Sequence, residues 1–249
     1  MVTAVDEYLR GLQSVLDRIR TTQQNAIVRA GALVADALAR GGILHVFGSG
    51  HSHLLAEDAF YRTGGLAGVN PILDDRLTFA RGALASTRAE REPGLAGPLL
   101  ADLDVRPADV AIVASNSGRN AAPIEMAQEM KRRGVATIAI TNVAQSRMLA
   151  SRHASGLRLF EISDVVIDTC VPFGDALVVD AALPGPMGPA STVAGSAIIH
   201  AVAIQAAATL HAAGGRAPIL PSANVDGTTE ELLRTILAPY RGRVKFLDV

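Results

Sequence analysis

Five short apolar runs constrain this chain more than any other feature: Ile43 to Phe47, Val69 to Leu73, Val110 to Ala114, Ala136 to Thr141 and Val165 to Thr169. Each is too short for an independent helix and is rich in branched or small apolar residues. Turn-forming residues bound them, the pattern of a strand buried on both faces. Between them lie segments of helical character near Ser52 to Thr63, Ala121 to Arg133 and Ser146 to Ala150. Strands that alternate with helices need crossover connections. The expectation is therefore an α/β fold, a doubly wound five-stranded parallel sheet sandwiched by helices.

Two of these strands end in turns of unusual chemistry. Ala111 to Asn120 reads AIVASNSGRN, and its apolar run stops abruptly at Ser115, Asn116, Ser117 and Gly118 before a helix that opens at Asn120. The first strand runs into Gly48, Ser49, Gly50, His51, Ser52 and His53. Such turns offer hydroxyls, backbone N–H groups and the positive end of a helix dipole to an anion such as a phosphate. A Gly-Ser-Gly turn also invites a dinucleotide-binding reading, with Asp74 or Asp75 as the ribose acid. His53 occupies the place of the third glycine, where helix and strand must approach closely, so a phosphorylated ligand in the crevice is the better expectation.

The rest of the chain frames that core as one domain over residues 1–249. Residues 1–41 form a long N-terminal helix, whose positions Val5, Leu9, Leu12, Leu16, Ile19, Ala26, Ala30, Leu33 and Ala37 make a narrow seam for the core or a partner subunit. The core covers 42–214 and a C-terminal extension covers 215–249. Arg81 to Pro107 breaks the strand–helix rhythm and reads as a surface excursion with some helix. Ala190 to Gly214 is apolar nearly all round, so it is buried against the sheet or in a subunit interface, and Ser191 and Thr192 stand at its start. The extension holds a short helix from Thr228 and a strand-like Val244 to Leu247. Basic and acidic residues number 23 and 24, which recommends neither nucleic acid nor an anionic membrane surface as a partner. Cys170 is the only cysteine, the N-terminus lacks a signal-peptide pattern, and the apolar stretches are interrupted by polar residues. The expected location is the cytoplasm, without a membrane span.

The GSGHSH turn, the SNSG turn, the Thr141 turn after the fourth strand and Ser191-Thr192 opening a long apolar helix together resemble the sugar isomerase (SIS) domain. The resemblance covers roughly Gly42 to Gly214. It implies a five-stranded parallel sheet between helices, assembly as dimers or tetramers, and binding of sugar phosphates. The family includes aldose–ketose isomerases, phosphoheptose isomerase, an etherase and non-catalytic regulators. By matching motif positions it implies that Ser52, Ser115, Ser117 and Ser191 or Thr192 contact phosphate or sugar. Ser49, His51, Asn116, Gly118, Asn120 and Thr141 complete the expected binding set. The long first helix and the FYRTGG continuation look closest to members related to phosphoheptose isomerase.

One departure affects the chemistry. Phosphoheptose isomerases carry a metal-binding His and Glu one helical turn apart, whereas the aligned places here are Asp58 and Arg62, and a cation at Arg62 is hostile to a metal. His53 with Glu57 is the nearest substitute but lacks an evident third ligand, so neither metal nor cofactor is expected. For catalysis, Glu57 is the expected base, beside His53 and one turn before Tyr61 on a helix starting near Ser52. His200 lies where the family places a catalytic base; its other role is a buried histidine bonded to backbone or Gln205. The expected function is a sugar-phosphate isomerase acting as a homo-oligomer. Its rivals are a phosphosugar-binding sensor or a phosphosugar lyase or etherase.

Overall fold

The structure is a computed structural model that describes residues 3–247. Two helices precede the sheet, α1 (Ala4–Thr22) and α2 (Gln24–Ala39). The expected single helix is broken at Gln23, the one polar residue filling the apolar seam. Gln23 departs from helical dihedrals at φ −107°, ψ 0°, and its Oε1 accepts the Asp168 amide at 3.0 Å. The break separates two environments: α1 buries only Val15 and Ile19, whereas α2 buries Ala30, Gly31, Val34, Ala35 and Ala37.

The sheet follows, with β1 (Leu44–Gly48), α3 (His53–Ala59), β2 (Val69–Ile72), α4 (Ala83–Ala89), α5 (Ala96–Ala101), β3 (Val110–Ala114), α6 (Ala121–Arg132), β4 (Ala136–Thr141), α7 (Val143–Met148), α8 (Leu159–Ile162) and β5 (Val165–Asp168). All strand pairs are parallel, in the order β2-β1-β3-β4-β5. The five apolar runs are these five strands. The chain leaves β1 toward β2 on one side and returns to β3 on the other, so the strand order reverses between β1 and β3. Ligands of open α/β sheets bind outside the carboxyl ends of the strands at such a reversal.

Side-chain alternation along the strands divides the core into two layers. Val46, Ile112, Ile138 and Ile167 face α2 and α9 (Ser191–Ala212), while Phe47, Val113 and Ala139 face α6 with Ile124, Met126 and Met130. Helix α9 is the one described helix long and apolar enough to span a bilayer. Here its Ala194, Ile198, Val202 and Ala206 are buried, and the helix packs along α2.

Three local expectations are corrected. Helix α3 stops at Ala59 and Tyr61 has φ +46°, so Tyr61 does not continue the face that carries Glu57. The excursion from Arg81 has the helix expected of it, as α4 and α5, but it is not confined to the surface: Ala89, Ala96 and Leu100 join Leu77 in the second core layer. Residues Val244 to Leu247 are turns rather than a strand, and α10 (Glu230–Leu237) supplies the regular part of the extension. Leu233 and Leu237 of α10 pack with Ala67 and Leu220 in a small separate cluster.

Candidate functional site

A crevice opens where the two hydroxyl-rich turns meet, at the carboxyl ends of β1 and β3. A narrow slot in it is lined by Ser52, Leu55, Ser115, Asn116, Thr169, Ser191 and Thr192, among others. It widens into a lobe of about 430 Å³ that includes Ser49, His51, Ser52, Phe79, Glu90, Ser115, Asn116, Ser117 and Gln145. That volume falls in the range of small-molecule sites.

Each turn is shaped by a residue without a side chain. A Cβ on Gly48 would fall 2.2 Å from the Ser52 carbonyl oxygen, so only glycine lets the chain fold back over the end of β1. Gly118 has φ +58°, and its amide donates to Ser115 Oγ at 3.2 Å, which leaves the Ser115 proton free to be donated. Ser52, Ser117 and Thr192 make no side-chain hydrogen bond among the described residues and line the crevice. Ser191 is engaged differently: its hydroxyl and amide, with the Ala190 amide, are all held by the Asp175 carboxylate at the start of α9.

Several expected contacts lie behind the crevice wall. Thr141 is fully buried and its Oγ1 donates to Asn116 O at 3.4 Å, which braces the turn. Asn116 itself lines the crevice, and its side-chain oxygen accepts from Thr169 Oγ1 at 3.2 Å. Asn120 is buried; its Nδ2 donates to Glu90 Oε1 at 2.6 Å and its Oδ1 accepts from Arg152 at 3.2 Å. Arg152 is held below the usual arginine range by burial first and then by the nearby charges of Arg119 and Arg91. A positive field therefore stands behind a lining that itself contains no lysine or arginine.

The three residues expected to do chemistry are not brought to this crevice. His53 and Glu57 line a neighbouring cleft of about 630 Å³ with Asp74, Asp75, Thr78, Lys245 and Phe246. Phe79 borders both spaces, with His51 at 4.7 Å and His53 at 5.6 Å between ring centroids. His53 is buried with Nδ1 against the Gly50 carbonyl, and its Nε2 stands 3.9 Å from Glu57. His200 reaches neither backbone nor Gln205. Its Nε2 lies 2.8 Å from Asp58 Oδ2, which also accepts from Ser196 at 2.9 Å, while Arg62 pairs with Oδ1 at 3.2 Å.

The residues that sequence reasoning missed are Glu90, Asp175, Thr169 and Gln145. Glu90 is the most consequential. It sits just past α4, half-buried, and burial pushes its carboxyl above the usual range although the Ser49 hydrogen bond and the charges of Arg91 and Arg152 pull it down. Its sequence context of alternating charges resembles a solvated surface, and only its position after the second strand hinted at the crevice.

The sequence model of the SIS domain matches residues 7–142. The chain belongs to the SIS domain family. This SIS protein is 38% identical over 243 residues to a UPF0309 protein of Geobacillus kaustophilus, covering 98% of this chain and 96% of the relative. It is 38% identical over 245 residues to a UPF0309 protein of Thermoanaerobacter pseudethanolicus, covering 97% and 99%. Two solved structures share its fold at low identity. Phosphoheptose isomerase of Neisseria gonorrhoeae has a TM-score of 0.54 at 18% identity, over 80% of this chain and 95% of that one. A phosphoheptose isomerase of Francisella tularensis has a TM-score of 0.54 at 16% identity, over 81% and 95%. The crevice of this SIS protein thus lies at the strand-order reversal of a sheet with the fold of those isomerases. Among its described residues no cluster of three or more His, Cys, Asp or Glu side chains is placed to hold a metal ion.

Proposed function

We propose that this SIS protein binds a phosphorylated sugar in the crevice between the β1 and β3 turns and interconverts its aldose and ketose forms. One observation supports this above others: the hydroxyls of Ser52, Ser117 and Thr192, and the free proton of Ser115, converge on a lining that otherwise offers an anion no lysine or arginine. Neutral donors, with the N-terminal dipole of α6 behind the β3 turn, are the means by which such a site holds phosphate, since the start of α9 is already taken by Asp175. Ser49, His51, Asn116 and Ser191 would meet the sugar or shape its path, and Gly118, Asn120 and Thr141 would hold the turn. The working form is a homodimer or tetramer, because Val5 and Leu9 on α1 and Ile204 on α9 stand more than half exposed.

The test is a thermal-shift panel of aldose and ketose phosphates of five, six and seven carbons beside the same sugars without phosphate. A phosphorylated sugar at a hundredfold excess over its Kd should stabilise the protein by about 2.7 kcal/mol. Equal responses to phosphorylated and free sugars would overturn the phosphate site.

A further inference from the structure

We propose that Glu90 is the catalytic base of the crevice, removing the proton from the sugar carbon beside the carbonyl; this rests on the phosphosugar reading above. The assignment begins with what lines the space. Among the residues lining the slot and its lobe, the ionisable side chains are Glu90 and His51. Glu57 and His53 face the adjoining cleft across Phe79, and the Nε2 of His200 is committed to Asp58.

Glu90 is also held as a positioned base would be. Its Oε2 accepts from Ser49 Oγ at 3.1 Å and its Oε1 accepts from Asn120 Nδ2 at 2.6 Å. Its backbone carbonyl accepts the Ala122 amide at 3.0 Å, tying the end of α4 to the first turn of α6. Asn120 is oriented in turn by Arg152. Each carboxylate oxygen thus has one fixed donor and a lone pair left over. The charged neighbours are Arg91 beside it and Arg152 behind Asn120, while Ser49, Ser86, Thr87 and His51 share its lobe. Burial disfavours the carboxylate here, which makes it a better proton acceptor than a solvated one.

The proton bookkeeping is closed. Glu90 takes the C2 proton of an aldose phosphate; the C2–H electron pair forms a C1=C2 bond and the carbonyl pair moves to O1, which takes up a proton. The enediol then loses its O2 proton as C2=O forms, and C1 takes the proton back from Glu90. No oxidant or co-reactant is needed. The oxygen-bound protons exchange through the crevice hydroxyls or His51.

The experiment compares the parent, E90Q and E90D with the sugar phosphate that gives the largest thermal shift. It measures Kd by calorimetry and solvent deuterium incorporation at the carbon beside the carbonyl by NMR. E90Q keeps the shape and removes the charge. It should bind within about threefold of the parent and exchange at least about a hundredfold more slowly, with E90D recovering part of the rate. A Glu90 that merely props Ser49 and Asn120 would instead weaken binding in E90Q, as in S49A, with exchange at saturation unchanged. That result, or parent-like exchange in E90Q, overturns the assignment while leaving the binding site intact. Binding by the parent without any exchange overturns it too. No binding by the parent to any sugar phosphate removes the phosphosugar reading and the base together.

Discussion

The two ends of the sheet use similar polar residues to opposite effect. At the amino end, His45, Asn70 and Asp109 are essentially inaccessible, and their polar groups answer one another. Asp109 accepts from the amides of Ile43 and Arg106 at 3.0 and 2.7 Å, and from Arg243 at 3.0 and 2.9 Å. It also meets His45 Nε2 at 3.2 Å, while His45 Nδ1 accepts from Asn70, which in turn accepts the Lys245 amide at 2.8 Å. That chain of bonds pins the C-terminal extension under the sheet. At the carboxyl end, Ser52, Ser117 and Thr192 face a cavity instead of a partner. Buried polar groups are costly unless paired, so a cluster whose members bond one another marks structure, whereas hydroxyls left facing a crevice mark a place for a ligand.

The largest expected effect lies at the paired end. D109A strips the acceptor from two amides and from His45, and takes from Arg243, whose side chain is 10% exposed, its buried carboxylate, leaving it only Asp104 and two backbone carbonyls. It should cost about 3 to 5 kcal/mol in urea unfolding. S115A, at the open end, should cost less than about 1 kcal/mol, since its hydroxyl accepts one bond. A D109A cost as small as that of S115A would break the contrast.

Ligand binding should invert the ranking. Replacing Ser115 and Ser117 together with alanine should weaken sugar-phosphate binding by about 1 to 3 kcal/mol, while the unliganded protein keeps its thermal midpoint to within a few degrees. Calorimetry and a melting scan on one preparation check both halves. A double variant that binds normally would move the anion site elsewhere.

Acid should act on the paired end. The hydrogen bonds from His45, Arg106, Ile43 and Arg243 overcome the burial that would raise the Asp109 pKa, and hold it at about 2 against an ordinary 3.8. A depressed carboxyl pKa contributes stability that is complete above the unfolded value and is lost as pH falls through the folded one. For Asp109 that is about 2 kcal/mol, disappearing between about pH 4 and pH 2. The stability difference between the parent and D109N should shrink over that window. A difference that stays constant from pH 6 to pH 2 would show that Asp109 does not titrate as its partners require.

What the sequence determined by itself is what depends on near neighbours along the chain. Short apolar runs between turn residues made the strands legible, and the glycines and serines at 48–52 and 115–118 made the two anion-ready turns legible, because strand burial and turn chemistry are set within a few residues. The apolar composition of α9 likewise announced a helix buried against the sheet or in a subunit interface. Side-chain direction and long-range pairing were decided only by the tertiary structure. Glu57 and Glu90 are both carboxylates near a helix end, yet the packing of α3 turns one to the side of Phe79 away from the crevice, and the tie between α4 and α6 turns the other into it. Gln23 read as a gap in a seam until β5 supplied its bond, and Arg243 meets Asp109 across 134 positions of chain. A charge looks the same in sequence whether solvated or buried. Its role is set by the groups that fold around it, which periodicity does not encode.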